Sequence, residues 1–339
     1  MKQPARAHTA RRLAPPGLAR LRARGAALLA AMLTVTLVAT FAATALWQQW
    51  RSVEVETAER ARAQAAWILL GALDWSRVVL REDARSGGPD HLAEPWAVPL
   101  QEARLSSFLA AEGNVSQVDD ASSETANAFL SGEIIDLQSR MNLRNLLDRE
   151  DANLPFERLF ERLGLPSGTL QQIAMGLRQA QAAGSNEQST APLMPRTLVQ
   201  LGWLGIAPQV IARLEPHVTL LPMRTPINVN TASAEVIWAS VDGLDWAKAS
   251  QFVQSREASP LRNTADALTR MGVASDTPSN NLAVSSSFFE IRGRLRLGDA
   301  LVSERSLVQR KNMDVVTLWR ERGSWTSPSL PLPGQSPAP

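Results

Sequence analysis

Residues 26–50, AALLAAMLTVTLVATFAATALWQQW, contain no charged side chain and are dominated by Ala, Leu, Val, Met and Phe. At about 1.5 Å per helical residue such a run spans roughly 30 Å, the thickness of bilayer hydrocarbon. Arg20, Arg22 and Arg24 lie immediately before it, which predicts a cytoplasmic N-terminus with the bulk of the chain across the membrane. Trp47 and Trp50 stand at the far end, where indole rings suit the membrane–water interface. The competing explanation is a removed secretory signal, whose apolar core is roughly 7–15 residues and ends in a small-residue cleavage site. Here the apolar helix runs on into a second helical segment without a turn signal, so it is expected to be retained.

That second segment keeps helical spacing from residue 51 to about 83. Trp67, Leu70, Leu73 (or Asp74), Arg77 and Leu80 trace an apolar stripe, with Leu69 and Val78 beside them. No Gly or Pro falls between Trp50 and Trp67, and Ser86-Gly87-Gly88-Pro89-Asp90 stops the helix. One helix of about sixty residues, roughly 90 Å, is expected. Residues 113–123 read as a polar loop, and 127–137 as a strand with alternation in its second half. Residues 147–226 read as short helices, with helical spacing at Phe156, Leu159, Phe160 and Leu163 and again at Leu170, Ile173 and Leu177. Residues 182–195 form an expected loop, and 197–214 a helix–turn–helix about Leu204-Gly205-Ile206. In 225–257, Asn230 or Thr231 is placed to cap a helix through Glu235 and Trp238, and Asp242-Gly243 to turn into a second helix. Residues 272–287 read as a polar loop. Phe289, Ile291, Gly293, Leu295 and Leu297 then share one strand face, opposite Glu290, Arg292, Arg294 and Arg296. Gly298-Asp299 and Lys311-Asn312 turn this strand into two more. Three antiparallel strands with one apolar face need a cover, which the helix over 53–80 supplies. The Pro/Ser-rich end, 326–339, is expected to be disordered.

Composition limits the chemistry. There is no cysteine, which excludes disulfides, thiolate metal sites and cysteine nucleophiles. The only imidazoles are His8, His91 and His217; His8 precedes the membrane helix, and the other two follow turn sequences. No nucleophile-elbow motif supports a serine hydrolase. Seven basic residues and no acid precede Ala26, and without them the formal net charge of +2 becomes −5. The basic pI therefore belongs to the leader and argues against broad attraction to nucleic acid.

Gly25 closes that basic leader and Ala26 opens the apolar helix. A short basic leader ending in glycine, followed by an apolar helix that continues as an amphipathic one, resembles the type IV pilin and pseudopilin class. The resemblance implies that a prepilin peptidase cleaves between Gly25 and Ala26 and methylates the new N-terminus. Most members carry Glu at the fifth mature position, which here is Ala30. The branch lacking it is general secretion pathway protein K, a minor pseudopilin of type II secretion, and three further blocks resemble it in order. DLQSRMNLRNL carries Asp136, Leu137, Gln138, Arg140, Asn142, Leu143, Asn145 and Leu146 at matching positions. PINVNTASAEV carries Asn228, Asn230 and Thr231, and the chain's last strand ends VVTLWRERG. EPWA at 94–97 is a shorter echo.

The resemblance implies an α+β pseudopilin fold, with a long N-terminal membrane-spanning helix packed on an antiparallel sheet and a large all-helical insertion. The expected organisation is leader 1–25, membrane half of the helix 26–50, pseudopilin domain 51–137, insertion 138–283, β-meander 284–322 and disordered tail 323–339. It implies a bacterial inner-membrane protein, single-pass, with its C-terminal domain in the periplasm. It also implies a subunit at the pseudopilus tip, where the absent fifth-position glutamate has no neighbour above to meet. Such a subunit initiates the pseudopilus and serves export of folded periplasmic proteins across the outer membrane. Expected partners are other minor pseudopilins, the prepilin peptidase, the secretion system's inner-membrane assembly and inner-membrane lipid. Neither enzymatic activity nor a cofactor is expected. Many members carry a run of acids suited to calcium after the first helices of the insertion; the matching residues 173–183, IAMGLRQAQAA, have none, so that site is not carried over. Asp119, Asp120, Asp148, Glu150 and Asp151 are read as solvated loop faces.

The block around INVNTA also resembles helix–hairpin–helix DNA-binding modules, which grip phosphate through hairpin amides. Val241-Asp242-Gly243-Leu244 supplies the turn, but Asp245 stands where the next glycine is usual, and an acid repels phosphate. The unit is expected to be structural. A membrane-anchored DNA-uptake protein is the alternative function, and an anchored hydrolase a third.

Overall fold

The computed structural model describes residues 17–107, 128–148, 153–166, 168–183, 190–274 and 277–323. The loop expected at 113–123, His8, Glu150, Asp151 and the tail from 324 lie outside these residues. Helix α1 spans Gly17–Ser86, 70 residues, and starts inside the stretch read as leader. The chain divides into two compact units, Met1–Arg60 and Ala61–Pro339.

In the first unit every described side chain from 25 to 60 is exposed, Leu29 at 69% and Phe41 at 68% among them. A helix apolar on all faces and unburied by its own protein is suited to lipid. Its polar side chains are quenched locally. The hydroxyls of Thr34, Thr40 and Thr44 donate to the carbonyls of Ala31, Leu37 and Thr40 at 2.8, 2.8 and 2.7 Å. Hydrocarbon offers no other acceptor, so these back-bonds meet the requirement that polar groups be satisfied within the segment. At the far end the Arg51 guanidinium lies 5.6 Å from the Trp47 ring centre.

The second unit contains the rest of α1, a five-stranded sheet and a helical insertion. The strands in chain order are β1 (Leu100–Arg104), β2 (Ala128–Asp136), β3 (Met141–Asn142), β4 (Val218–Thr219), β5 (Ile227–Asn228), β6 (Leu282–Ala283), β7 (Phe288–Leu297), β8 (Ala300–Lys311) and β9 (Asp314–Arg322). The helices after α1 are α2 (Asn153–Arg162), α3 (Thr169–Ala183), α4 (Pro208–Leu214), α5 (Ala234–Ser240), α6 (Trp246–Ala258) and α7 (Thr264–Met271). The large sheet has the order β1-β2-β7-β8-β9 and is antiparallel throughout. It exceeds the expected three-stranded meander because β2 pairs with β7 along its whole length, from Ala128 opposite Leu297 to Asp136 opposite Phe289. The insertion leaves the sheet after β2 and returns at β7, the strand beside it.

One sheet face packs on α1 through Phe289, Ile291, Leu295 and Leu297, against Ala65, Leu69, Leu73 and Leu80. The helix phase differs from the expected stripe. Trp67 is 73% exposed, whereas Leu69 is fully buried. The reason is steric: a Cβ on Gly293 would lie 2.7 Å from Leu69 Cδ1. At Gly293 the sheet offers a bare backbone position to Leu69, which leaves the larger Trp67 on the outer side.

The opposite face, which carries Glu290, Arg292, Arg294 and Arg296, is buried at one end and exposed at the other. Glu290 and Arg292 are buried, and Arg292 is bonded to Glu290 and to Glu133, the latter at 3.4 Å. Phe288, Leu307, Leu137 and Leu221 form a small core on this face, so the insertion covers its upper end. The insertion has its own core, in which Phe156, Leu159, Ile173, Leu177, Val236 and Phe252 are buried. It is mainly helical but not all-helical. β3 pairs with β4 and β5 with β6, both parallel, and β6 lies within the stretch expected to be a plain loop. These two-residue ladders satisfy the backbone where the chain crosses between the cores.

Candidate assembly junction

Gly25, Ala26 and Ala30 sit on exposed turns of α1, and a Cβ built on Gly25 meets nothing within 4 Å. The backbone there is open to an outside partner. Ala30 places a methyl group where a carboxylate would otherwise stand.

The asparagines of the second block build a clasp. Asn142 is buried; its Nδ2 donates to the Met223 carbonyl at 2.8 Å and to Thr225 Oγ1 at 3.1 Å. Its Oδ1 accepts from the amides of Arg144 and Leu221 at 3.0 and 3.1 Å. Asn145 grips Thr225 at both ends, donating to its carbonyl at 3.0 Å and accepting from its amide at 3.3 Å. Two side chains thus hold residues 221–225, which bring the chain to β5. An amide side chain suits this task because it carries donor and acceptor on one plane.

The third block meets the sheet. Asp136, the last residue of β2, is buried and accepts four hydrogen bonds. The Gln138 amide reaches its Oδ1 at 2.7 Å, while Thr231 Oγ1, Ser286 Oγ and Asn228 Nδ2 reach its Oδ2 at 2.6, 2.7 and 3.1 Å. Asn228 Nδ2 also faces the Asp90 carbonyl at 3.1 Å. Burial raises the Asp136 pKa, against the lowering effect of the Thr231, Ser286 and Gln138 hydrogen bonds. Asn230 clamps Leu261 through its carbonyl and amide at 2.9 and 2.8 Å. Neither Asn230 nor Thr231 caps α5, as expected from sequence; Ser233 does, accepting from the Val236 amide at 3.4 Å. Their side chains already serve the junction. Arg256 backs the same strand by donating to the Val229 carbonyl at 2.5 Å, and burial lowers its pKa to about 10.

Asp90, Ser286 and Arg310 complete the junction and carried no sequence signal of their own. The Arg310 guanidinium bridges Asp83 and Asp90, both at 2.5 Å, and donates to the Ser286 carbonyl at 2.8 Å. Burial alone would lower its pKa, but Asp90 and Asp83 outweigh this and raise it. Asp83, Asp90 and Glu94 bring carboxylate oxygens within 4.8 Å of one another. Arg310 already supplies the countercharge there, and Glu94 is engaged by the His91 amide at 2.8 Å and by Trp96 Nε1 at 2.7 Å. Trp96 in turn stacks edge-on to Phe289 at 5.2 Å, which explains the EPWA sequence as a turn pinned to the sheet.

The remaining candidates have structural surroundings. Gly243 takes φ +69° in the hairpin between α5 and α6. Arg158 donates to the Val241 carbonyl and to Asp242, both at 3.2 Å, and Asp245 caps α6 by accepting from the Ala247 amide at 3.0 Å. A phosphate would compete with that carboxylate for the helix end. Arg162 stacks 3.5 Å from the Trp246 ring centre and 5.7 Å from that of Trp238, bracing the two helices. His91 Nδ1 accepts from the Ala93 amide at 3.3 Å. His217 is half-buried rather than solvated, and burial lowers its pKa. Residues 173–183 form most of α3, whose exposed positions include Gln171, Gln172, Met175, Arg178 and Gln179. These side chains do not fit a calcium ion, which requires several oxygen ligands of high charge.

Comparison with known proteins points to one family. A family model described as Type II secretion system (T2SS), protein K matches residues 227–285, and a second of that description matches 139–223. Type II secretion system protein K of Pseudomonas aeruginosa is 27% identical over 341 residues, covering 91% of this chain and 95% of its own length. The protein of the same name from Pectobacterium carotovorum subsp. carotovorum is 26% identical over 343 residues, covering 90% and 98%. A chain of the GspK-GspI-GspJ complex from the enterotoxigenic Escherichia coli type 2 secretion system superposes with a TM-score of 0.60 at 18% identity. That match covers 80% of this chain and 99% of the other.

Proposed function

Because the chain belongs to the type II secretion system protein K family, we propose that it works as a minor pseudopilin that starts the pseudopilus from its tip. The observation that carries this reading is α1. The same 70-residue helix supplies an all-apolar segment and, from Ala65 to Leu80, the buried stripe that covers the sheet. A subunit built this way can be drawn from the membrane by its helix while presenting a folded head. Ala30 lacks the carboxylate that would seek a neighbour's N-terminus, which suits the first subunit of an assembly. The similar chain comes from a complex of GspK, GspI and GspJ, and counterparts of such minor pseudopilins are the partners assigned here, together with inner-membrane lipid and the secretion system's inner-membrane assembly. The N-terminus lies in the cytoplasm and the head in the periplasm, in keeping with Arg20, Arg22 and Arg24 before the span. The role is mechanical rather than enzymatic, and the exported cargo is folded periplasmic protein.

Maturation between Gly25 and Ala26 by a prepilin peptidase is part of this proposal, and it supplies the test. A Cβ at the cleaved position would crowd a protease built to receive bare backbone. Gly25→Val should therefore keep the basic leader, while Ala26→Ser should be processed as usual. Intact-mass measurement of membrane-extracted protein reads both. A mature chain beginning beyond Trp50 would mean an ordinary secretory signal and would remove the basis of the reading.

A further inference from the structure

Between the insertion and strands β8 and β9 lies a groove of about 1100 Å³, above the roughly 300–1,000 Å³ of a small-molecule pocket. Its walls carry two kinds of side chain. Leu193, Trp203, Met223 and Leu318 are apolar and exposed at 77, 55, 54 and 40%. Arg144, Arg196 and Lys311 are cationic, and no Asp or Glu lines the groove among the described residues. The contrast with the rest of the head is local. The chain from Ala26 onward has a formal net charge of −5, and its buried arginines meet acids: Arg292 meets Glu290 and Glu133, and Arg310 meets Asp83 and Asp90. Tryptophan, methionine and arginine are the residues that protein interfaces concentrate.

The backbone under each cation is held in place. The Arg144 amide donates to Asn142 Oδ1 at 3.0 Å, inside the asparagine clasp. The Arg196 amide donates to Gln200 Oε1 at 2.6 Å, just ahead of the short helical turn Leu198–Leu204. Lys311 ends β8, where Asn312 turns the chain with φ +54°. A surface fixed in this way gives up little freedom when a partner arrives.

We propose that this groove docks an acidic, apolar segment of a separate protein. Apolar side chains of the segment cover Leu193, Trp203, Met223 and Leu318, and its carboxylates answer Arg144, Arg196 and Lys311. Each half of the wall excludes a simpler occupant. A purely apolar segment would draw three cations out of water with nothing to pair them, and the chain's own residues 324–339, which carry no charged side chain, fall in that class. A phosphate-bearing surface would satisfy the cations but leave the apolar wall uncovered. The charges set register and encounter rate, while the tryptophan supplies the buried anchor. The inference rests on the chemistry of the groove and does not depend on the assembly role.

Photo-crosslinking in the native host tests it on the full chain. A benzoylphenylalanine placed at Leu193 should, on irradiation, join the chain to another protein. Mass spectrometry should map the joint to a segment that mixes Asp or Glu with large apolar residues. Arg196→Glu with Lys311→Glu replaces attraction by repulsion at two cations and should lower the yield at least about fivefold. Lysines in place of the acids of the mapped segment should restore it, which a merely misfolded head would not allow. Trp203→Ala should weaken the product as well. The same crosslinker at Leu301, exposed at 57% and outside the groove, should not give it. In the sequence Glu187 stands between the wall residues Ala183 and Ala191; Glu187→Gln should leave the yield unchanged, and a gain would show an acid of the chain itself filling the groove. That gain would overturn the proposal. So would a product with lipid, with a second copy of the chain or with an uncharged or basic segment, a yield indifferent to charge reversal, or no product at all.

Discussion

Asp136 accepts from donors on three separate stretches of chain, at Gln138, at Asn228 and Thr231, and at Ser286. Its removal is therefore unlike the loss of a surface carboxylate. Asp136→Ala leaves buried hydroxyl, amide and backbone donors without an acceptor, each costing about 1–3 kcal/mol before local rearrangement. The net loss should be about 3 kcal/mol, or roughly 6–12 °C in the melting temperature of a domain this size. Near-ultraviolet circular dichroism of the detergent-solubilised chain reads this melt, and a shift under two degrees would contradict the bonding pattern. Titration gives a second test. Burial holds the folded carboxyl above its ordinary 3.8, so the folded chain keeps this proton where the unfolded chain has lost it. The stability so gained is complete below 3.8 and is lost as pH rises through the folded value. Asp136→Asn cannot titrate, so its deficit against the parent should be widest in acid and should narrow toward neutral pH. A deficit that widens with pH would show the hydrogen bonds outweighing burial.

Glycines at two sheet positions separate what an element does to its neighbours. A Cβ on Gly132 would lie 2.8 Å from the Arg292 carbonyl oxygen, a backbone atom that cannot turn away. A Cβ on Gly293 would meet the mobile tip of Leu69. Both alanine variants should lose about 1–3 kcal/mol, but only Gly293→Ala should be relieved by a second change. Leu69→Ala with Gly293→Ala should cost at least about 1 kcal/mol less than the sum of the single variants, as expected of residues in contact. Denaturant midpoints of the four chains close the cycle, and strict additivity would mean that α1 does not rest on Gly293. This contact also marks where sequence reasoning stopped. The alternation along β7, the helical spacing of α2 and α3 and the Gly205 turn depend on local periodicity and were legible. The face of α1 was not, because Leu69 is chosen over Trp67 by a bare backbone position more than 200 residues away. The burial of the Glu290–Arg292 pair was not legible for the same kind of reason: alternation along a strand does not show what covers its charged face. At the junction, Asn228 and Thr231 stood out as a motif, but Asp90, Ser286 and Arg310 are single residues whose role exists only in three dimensions.

At the scale of the whole molecule, two cores share one chain, and polar side chains couple them. The sheet core and the insertion core meet through the Asp136 network, to which the Arg310 bridge ties Asp90 and Ser286. No calcium site is carried over to residues 173–183 from the sequence. Here the matching helix α3 turns Ile173, Ala174, Leu177 and Ala180 into the core and presents glutamine and arginine outward. Among the described residues Asp83, Asp90 and Glu94 form one acid group, in which the Arg310 guanidinium pairs with Asp83 and Asp90. A second cation would have to displace that arginine from two ion pairs, both nine-tenths or nearly so removed from solvent, and leave it buried without a partner. Such a loss typically costs about 3–5 kcal/mol. A ligand present at 100 times its dissociation constant returns only about 2.7 kcal/mol. The exchange is unfavourable, so calcium should not stabilise this protein. Melts of the detergent-solubilised chain in millimolar calcium and in chelator should coincide within about one degree, against the several degrees that a 2.7 kcal/mol linkage would produce. A rise of several degrees that survives Arg310→Lys would place the ion elsewhere in the chain. One that appears only when Arg310 is replaced would locate it at Asp83, Asp90 and Glu94.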